Sequence, residues 1–170
     1  RLRCDWSSDV CSSDLPDFVE AVNNLGLVYA TMGRHQEAIA TYQKALAIRA
    51  ETAMTYLNLG ISLEALNRAL EARTNYLRAL EIDRTLAKAN DALGLLHAKR
   101  GEFELARQYF AAETEVNPKF AEGHNHLGLI YLSLNQPQDA VAPLVRATKL
   151  NPKHADAHNK IGRASCRERV

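Results

Sequence analysis

A Leu-Gly pair followed twelve residues later by Ala recurs every 34 residues along this chain. It stands at Leu25-Gly26 with Ala38, Leu59-Gly60 with Ala72, Leu93-Gly94 with Ala106 and Leu127-Gly128 with Ala140. A unit that short cannot bury its own apolar face, so four tandem copies must share one continuous core. The period therefore predicts a stack of like units, an architecture that offers an extended surface for binding and seldom builds a catalytic pocket.

Both ends depart from the period. Asp5 to Leu15 reads DWSSDVCSSDL and Ile161 to Val170 reads IGRASCRERV. Both match the translation of common sequencing-library adapters. Residues 1–15 and 161–170 are therefore expected to be non-native flanks, the first of them disordered, with no part in the fold. All three cysteines, Cys4, Cys11 and Cys166, and the one tryptophan, Trp6, fall in these flanks. Between them there is no thiol for a disulfide, a zinc site or a nucleophile.

The chain carries a formal charge of +1, and between residues 16 and 160 acidic and basic residues balance, with no Lys/Arg block. That balance gives no electrostatic basis for binding nucleic acid or an anionic membrane surface. No apolar run approaches the roughly 18 residues of a membrane span. Nothing in the sequence sets the compartment, and the cytoplasm is only the default.

Setting position 1 at Val19 divides residues 16–160 into four units, 19–52, 53–86, 87–120 and 121–154, plus the start of a fifth at Ala155. The phase runs past both ends, so these units are expected to be an interior window on a longer array. Within a unit, Leu25, Val28, Tyr29 and Met32 follow the i, i+3, i+4, i+7 spacing of one helix face. Ala38, Ile39, Tyr42, Ala45, Leu46 and Ile48 form a second face. Each unit is thus predicted to hold two amphipathic helices of about 14 residues joined by a short turn.

Gly33, Asn67, Gly101 and Asn135 stand where the first helices should end, and Gly or Asn accepts a left-handed terminus at least cost. Asn117-Pro118 and Asn151-Pro152 close units three and four. Pro137 suits a first helical turn. Pro143 falls inside a second helix, where a local kink or bend on the exposed convex side is expected.

These residues resemble the tetratricopeptide repeat family, whose pattern places Leu-Gly at positions 7 and 8, Tyr at 11, Gly at 15, Ala at 20, an aromatic at 24, Ala at 27 and Pro at 32. Unit one supplies Leu25, Gly26, Tyr29, Gly33, Ala38, Tyr42 and Ala45. Later units keep most of the set, including Tyr76, Phe110, Ala147 and Pro152. Departures are Asn90, His124 and His158 at position 4, His97 at position 11 and Glu113 at position 27. They predict that units three and four are less well buried than unit one. The resemblance implies an all-α fold, a right-handed superhelical solenoid of antiparallel helix pairs. It also implies close helix crossing at Gly 8 and Ala 20, with the aromatic at 24 filling the space between neighbouring units.

The resemblance further implies that first helices line a concave groove through positions 2, 5, 6, 9, 12 and 13. The residues expected there are Asn23, Asn24, Leu27, Asn58, Ile61, Lys88, Asp91, Leu95, Asn125, His126 and Leu129. Asn24 and Asn58, one unit apart, offer amide donors and acceptors to a peptide backbone beside an aliphatic stripe. Lys88 and Lys99 could meet an acidic ligand. The Lys and Asn pattern by which some relatives clamp chaperone tails is absent.

Catalytic patterns are missing: there is no Gly-rich phosphate loop, G-x-S-x-G or H-E-x-x-H. His124 and His126 point to different sides of one helix. His154 and His158 straddle a proline turn without a third ligand, so neither a metal nor any other cofactor is expected. The sequence reads as a protein-protein interaction scaffold that takes an extended peptide or partner helix, and not as an enzyme. The alternative is the substrate-recognition arm of a larger enzyme such as a protein O-glycosyltransferase. Uncapped array ends are also expected to associate.

Overall fold

The computed structural model describes residues 15–50 and 52–152, and every regular element among them is an α-helix. They form two compact units that divide after Ile82. The first holds α1 (Leu15–Thr31), α2 (His35–Ile48), α3 (Ala53–Ala65) and α4 (Ala69–Ile82). The second holds α5 (Ala87–Lys99), α6 (Phe103–Val116), α7 (Ala121–Ser133) and α8 (Pro137–Leu150). In the first unit α1 packs on α2, α2 on α3 and α3 on α4, and in the second α5 packs on α6, α6 on α7 and α7 on α8. The chain is an all-α helical repeat of paired helices.

The helices follow the period closely. All four second helices are 14 residues long, and three of the first helices are 13. The exception is α1, which begins at Leu15, ahead of the boundary expected at Val19 and inside the segment read as a disordered flank. Pro16 permits this because a first-turn residue needs no backbone N–H. Residues 1–14, the start of a fifth unit, His154, His158 and the second flank lie outside the described residues.

Gly33 and Gly101 take φ of 76°, and Asn67 and Asn135 take 61° and 59°, so the left-handed ends read from the sequence are present in all four units. Each end closes the same way. Arg34 N–H donates to Tyr29 O while Gly33 N–H donates to Ala30 O, and Arg68, Asn67, Glu102, Gly101, Gln136 and Asn135 repeat the two bonds. This Schellman pair satisfies carbonyls that the helix end would otherwise orphan. Gly101→Ala forces a Cβ into the left-handed region and is expected to cost about 1–2 kcal/mol, read as a lower urea midpoint in equilibrium unfolding. Helix starts contribute less, since α2, α3, α5, α6, α7 and α8 all lack a side-chain N-cap bond. Packing, not capping, holds them.

Ala38, Ala72, Ala106 and Ala140 are fully buried, as are the position-24 side chains Tyr42, Tyr76, Phe110 and Leu144. A Cβ on Gly26 would stand 2.5 Å from the Tyr42 ring, and one on Gly94 would stand 2.7 Å from Phe110. The position-24 side chain thus lies on the glycine of its own unit, where the sequence reading placed it between units. Removing one Cβ is what admits the ring.

Burial also reverses the expected order of units. Asn90, His97 and Glu113 are 5%, 2% and 0% exposed, whereas Leu25, Val28 and Met32 are 47%, 52% and 62% exposed. The odd residues of unit three are enclosed by neighbouring helices, whereas His124 of unit four is only half-buried. Leu25 and Val28 of α1, and Met32 just after it, are left uncovered by α2 and α3, the described neighbours of α1. His97 keeps the core place of the missing Tyr by stacking on Tyr109 at 5.4 Å and bonding Glu102 Oε2 through Nδ1 at 2.5 Å. Pro143 is half-buried, not on an exposed face, and α8 continues through it from Pro137 to Leu150.

Candidate peptide-binding groove

The groove residues sit on first helices, so each unit can be built from α1 and α3 or from α5 and α7. In the first unit Leu27 and Ile61 are 46% and 47% exposed, Asn24 is exposed, and Asn23 and Asn58 are half-buried. Large aliphatic side chains left this open beside amides give a surface that is apolar with a few hydrogen-bonding points. A cavity of about 400 Å³ opens at one end of it. Val19, Glu20, Asn23 and Asn24 of α1 line it, with Arg49 and Thr52 of the following connection and Met54 of α3.

One of the two amides expected to face a peptide backbone is engaged within the chain. Asn58 Nδ2 donates to Asn23 Oδ1 at 3.4 Å, and no bond joins it to Asn24. The second unit repeats this register, because His126 Nδ1 donates to Asp91 Oδ1 at 2.7 Å. Both links join position 5 of one repeat to position 6 of the next, 35 residues apart. Side chains on a helix project toward its N-terminus, so the residue that reaches back across the groove comes one place later than the repeat period suggests. The repeat period relates equal positions, 24 and 58, and carries no sign of this offset.

In the second unit Lys88 is exposed, Asp91, Leu95, His126 and Leu129 are half-buried, and Asn125 is buried. Leu95 also packs against the cluster of Ala106, Phe110, Leu127 and Ile130, so this stretch of aliphatic stripe belongs partly to the core. His126 lies on the Phe110 ring, with centroids 5.1 Å apart.

Beneath that pair sits a group that the groove pattern does not include. Glu113 of α6 occupies an Ala position, is fully buried, and neither carboxyl oxygen has a hydrogen-bond partner. It fits only because α7 presents Gly123 there, where a Cβ would overlap the carboxyl group. Burial pushes its pKa up to about 7. The Asp91 charge adds to the rise, His126 opposes it, and Glu122 adds a smaller push. The sequence signal was available, since Glu replaces Ala at position 27 against Gly at position 3 of the next unit, but its depth was not.

Among the described residues no three His, Cys, Asp or Glu side chains are grouped as metal ligands, and no described helix is long and apolar enough to cross a membrane.

Comparison with solved structures matches the fold widely. The chain resembles the structure titled for functional characterization of Pseudomonas aeruginosa pilF, at 22% identity and TM-score 0.82, over 91% of this chain and 71% of that one. It resembles MamA from Desulfovibrio magneticus RS-1 at 20% identity and TM-score 0.78, over 88% and 85%. It also resembles the first tetratricopeptide domain of Spaghetti (RPAP3), solved with an HSP90 peptide, at 21% identity and TM-score 0.65, over 69% and 93%. These likenesses speak to the fold. No curated protein matches the sequence. Models of the tetratricopeptide repeat match residues 17–85, and again 92–146 and 127–167. With the helix pairs, the Gly-ring contacts and the left-handed helix ends all in register with those matches, this chain belongs to the tetratricopeptide repeat family.

Proposed function

We propose that the chain is a protein-protein interaction scaffold that binds an extended peptide or a partner helix along its first helices. The observation that carries this reading is the surface around Leu27 and Ile61. Two aliphatic side chains about half exposed flank the amides of Asn23, Asn24 and Asn58, beside a cavity of about 400 Å³. An isolated exposed Leu means little, but apolar side chains grouped with hydrogen-bonding points make a docking surface. Family membership supports the same reading, and the HSP90 peptide bound to one structural neighbour illustrates the ligand class there. The competing reading, a substrate arm for a glycosyltransferase, rests on free Asn amides at position 6. Asn58 turns toward Asn23, which lowers its support.

A displayed library of extended peptides tests the proposal. The double variant Leu27→Asp, Ile61→Asp is expected to lose at least about tenfold in affinity for selected peptides, a loss of roughly 1.4 kcal/mol, while its helical circular dichroism stays unchanged. Equal affinity for both proteins would remove the groove as the binding surface. Loss with Asn24→Ala and Asn58→Ala alone would instead favour amide recognition of the peptide backbone.

A further inference from the structure

Glu113 is the largest anomaly left by a peptide-binding reading. A fully buried carboxyl without a hydrogen-bond partner costs stability unless some donor or counter-charge compensates it. The helices that face it are α5 and α7, and the charged or titratable groups they bring are Asp91 from α5 and Glu122 and His126 from α7. His126 Nδ1 occupies Oδ1 of Asp91, and Oδ2 has no described partner. Lys88 lies one turn earlier on α5 yet forms no ion pair with Asp91. The Asp91 side chain is 21% exposed, so solvent and a ligand can reach it. Leaving Glu122 aside, both Glu113 oxygens and Oδ2 of Asp91 are acceptors without a described donor, and a donor-rich cation is their complement.

We propose that the first-helix surface of the second unit, on α5 and α7, takes a lysine or arginine side chain of the partner, held by Asp91 with Glu113 as the buried counter-charge beneath. This rests on the first helices being a peptide-binding face and names the side-chain class that α5 and α7 select. The cation need not touch Glu113. Its charge acts through the weakly screening interior, where opposite charges interact more strongly than in water. Seating it favours the ionised carboxylate, so the Glu113 carboxyl loses its O–H proton to solvent as the cation binds. Binding is then linked to proton release, and affinity rises with pH through the neutral range.

Two capped octapeptides, all-Lys and all-Glu, provide the probe, titrated calorimetrically into the full chain at pH 6 and pH 8. The expected result is binding of the Lys peptide but not the Glu peptide, at least about fivefold tighter at pH 8, with heats that vary with buffer ionisation and report proton release. Asp91→Asn and Glu113→Gln should each weaken the Lys peptide by about fivefold or more, and Glu113→Gln should also abolish the proton release. Asp139→Asn, an exposed acid on α8, should leave both unchanged. Lys-peptide binding that is the same in Glu113→Gln, or that releases no proton, overturns the inference. Neutral library peptides separate the two readings. If they bind through Leu27 and Ile61 while the Lys peptide shows no dependence on Asp91, the apolar surface stands and the cation site falls. If the Lys peptide behaves as expected while no neutral peptide binds, the cation site stands and the apolar surface at Leu27 and Ile61 falls.

Discussion

Tyr76→Ala is expected to lower unfolding free energy by about 3–5 kcal/mol, the range for removing a buried aromatic side chain. Tyr76 is fully buried on α4, lies on Gly60 of α3, and donates its hydroxyl to Glu64 Oε2 at 3.0 Å. Most of the loss should come from the ring. Tyr76→Phe removes only the hydrogen bond and should cost about 0.5–1.5 kcal/mol. The glycine supplies an internal control. Gly60→Ala drives a Cβ into the ring and should cost about 1–3 kcal/mol alone, but much less in the Tyr76→Ala background, where the space is open. Guanidinium unfolding of the two single variants and the double variant measures this coupling. Strict additivity would show that the ring and glycine do not oppose each other.

Glu113→Gln is expected to change the pH dependence of stability. The folded carboxyl titrates at about 7 against an ordinary value of 4.5. Below the lower value it is neutral in both states and its contribution is fully present. Between the two values the unfolded chain releases the proton that the folded chain keeps, so stability falls as pH rises, by up to about 3 kcal/mol in all. Above the folded value the loss is complete. Glu37, Glu71 and Asp83 are held below the ordinary range by Arg34, Arg68 and Thr85 and act in the opposite sense. They are common to both proteins and cancel in the comparison. Urea unfolding at pH 4.5 and pH 8 should therefore show the variant gaining on the wild type as pH rises. A constant difference across that range would mean that Glu113 does not titrate in isolation from water.

Local residue types made much of the fold legible. The spacing of apolar residues placed all eight helices, and Gly33, Asn67, Gly101 and Asn135 marked helix ends because few other residues tolerate positive φ. Leu27 and Ile61 could be placed on an open face only through the family resemblance. What could not be read was anything that depends on two helices meeting. Asn58 reaches Asn23 and not Asn24 because the direction of Cβ on one helix and the offset of the next decide which amides touch. Burial of Glu113 follows from Gly123 on another helix, and the outward exposure of Leu25, Val28 and Met32 follows from which neighbours stand beside α1. The 34-residue period and the residue types at its positions determined helix number, the length of all helices but α1, the left-handed ends and the family, since those follow mostly from residues near one another in the chain. Only the tertiary structure decided which polar groups pair across the groove and which carboxyl is taken out of water, because desolvation and hydrogen-bond geometry belong to the packed helices together and to no single stretch of sequence.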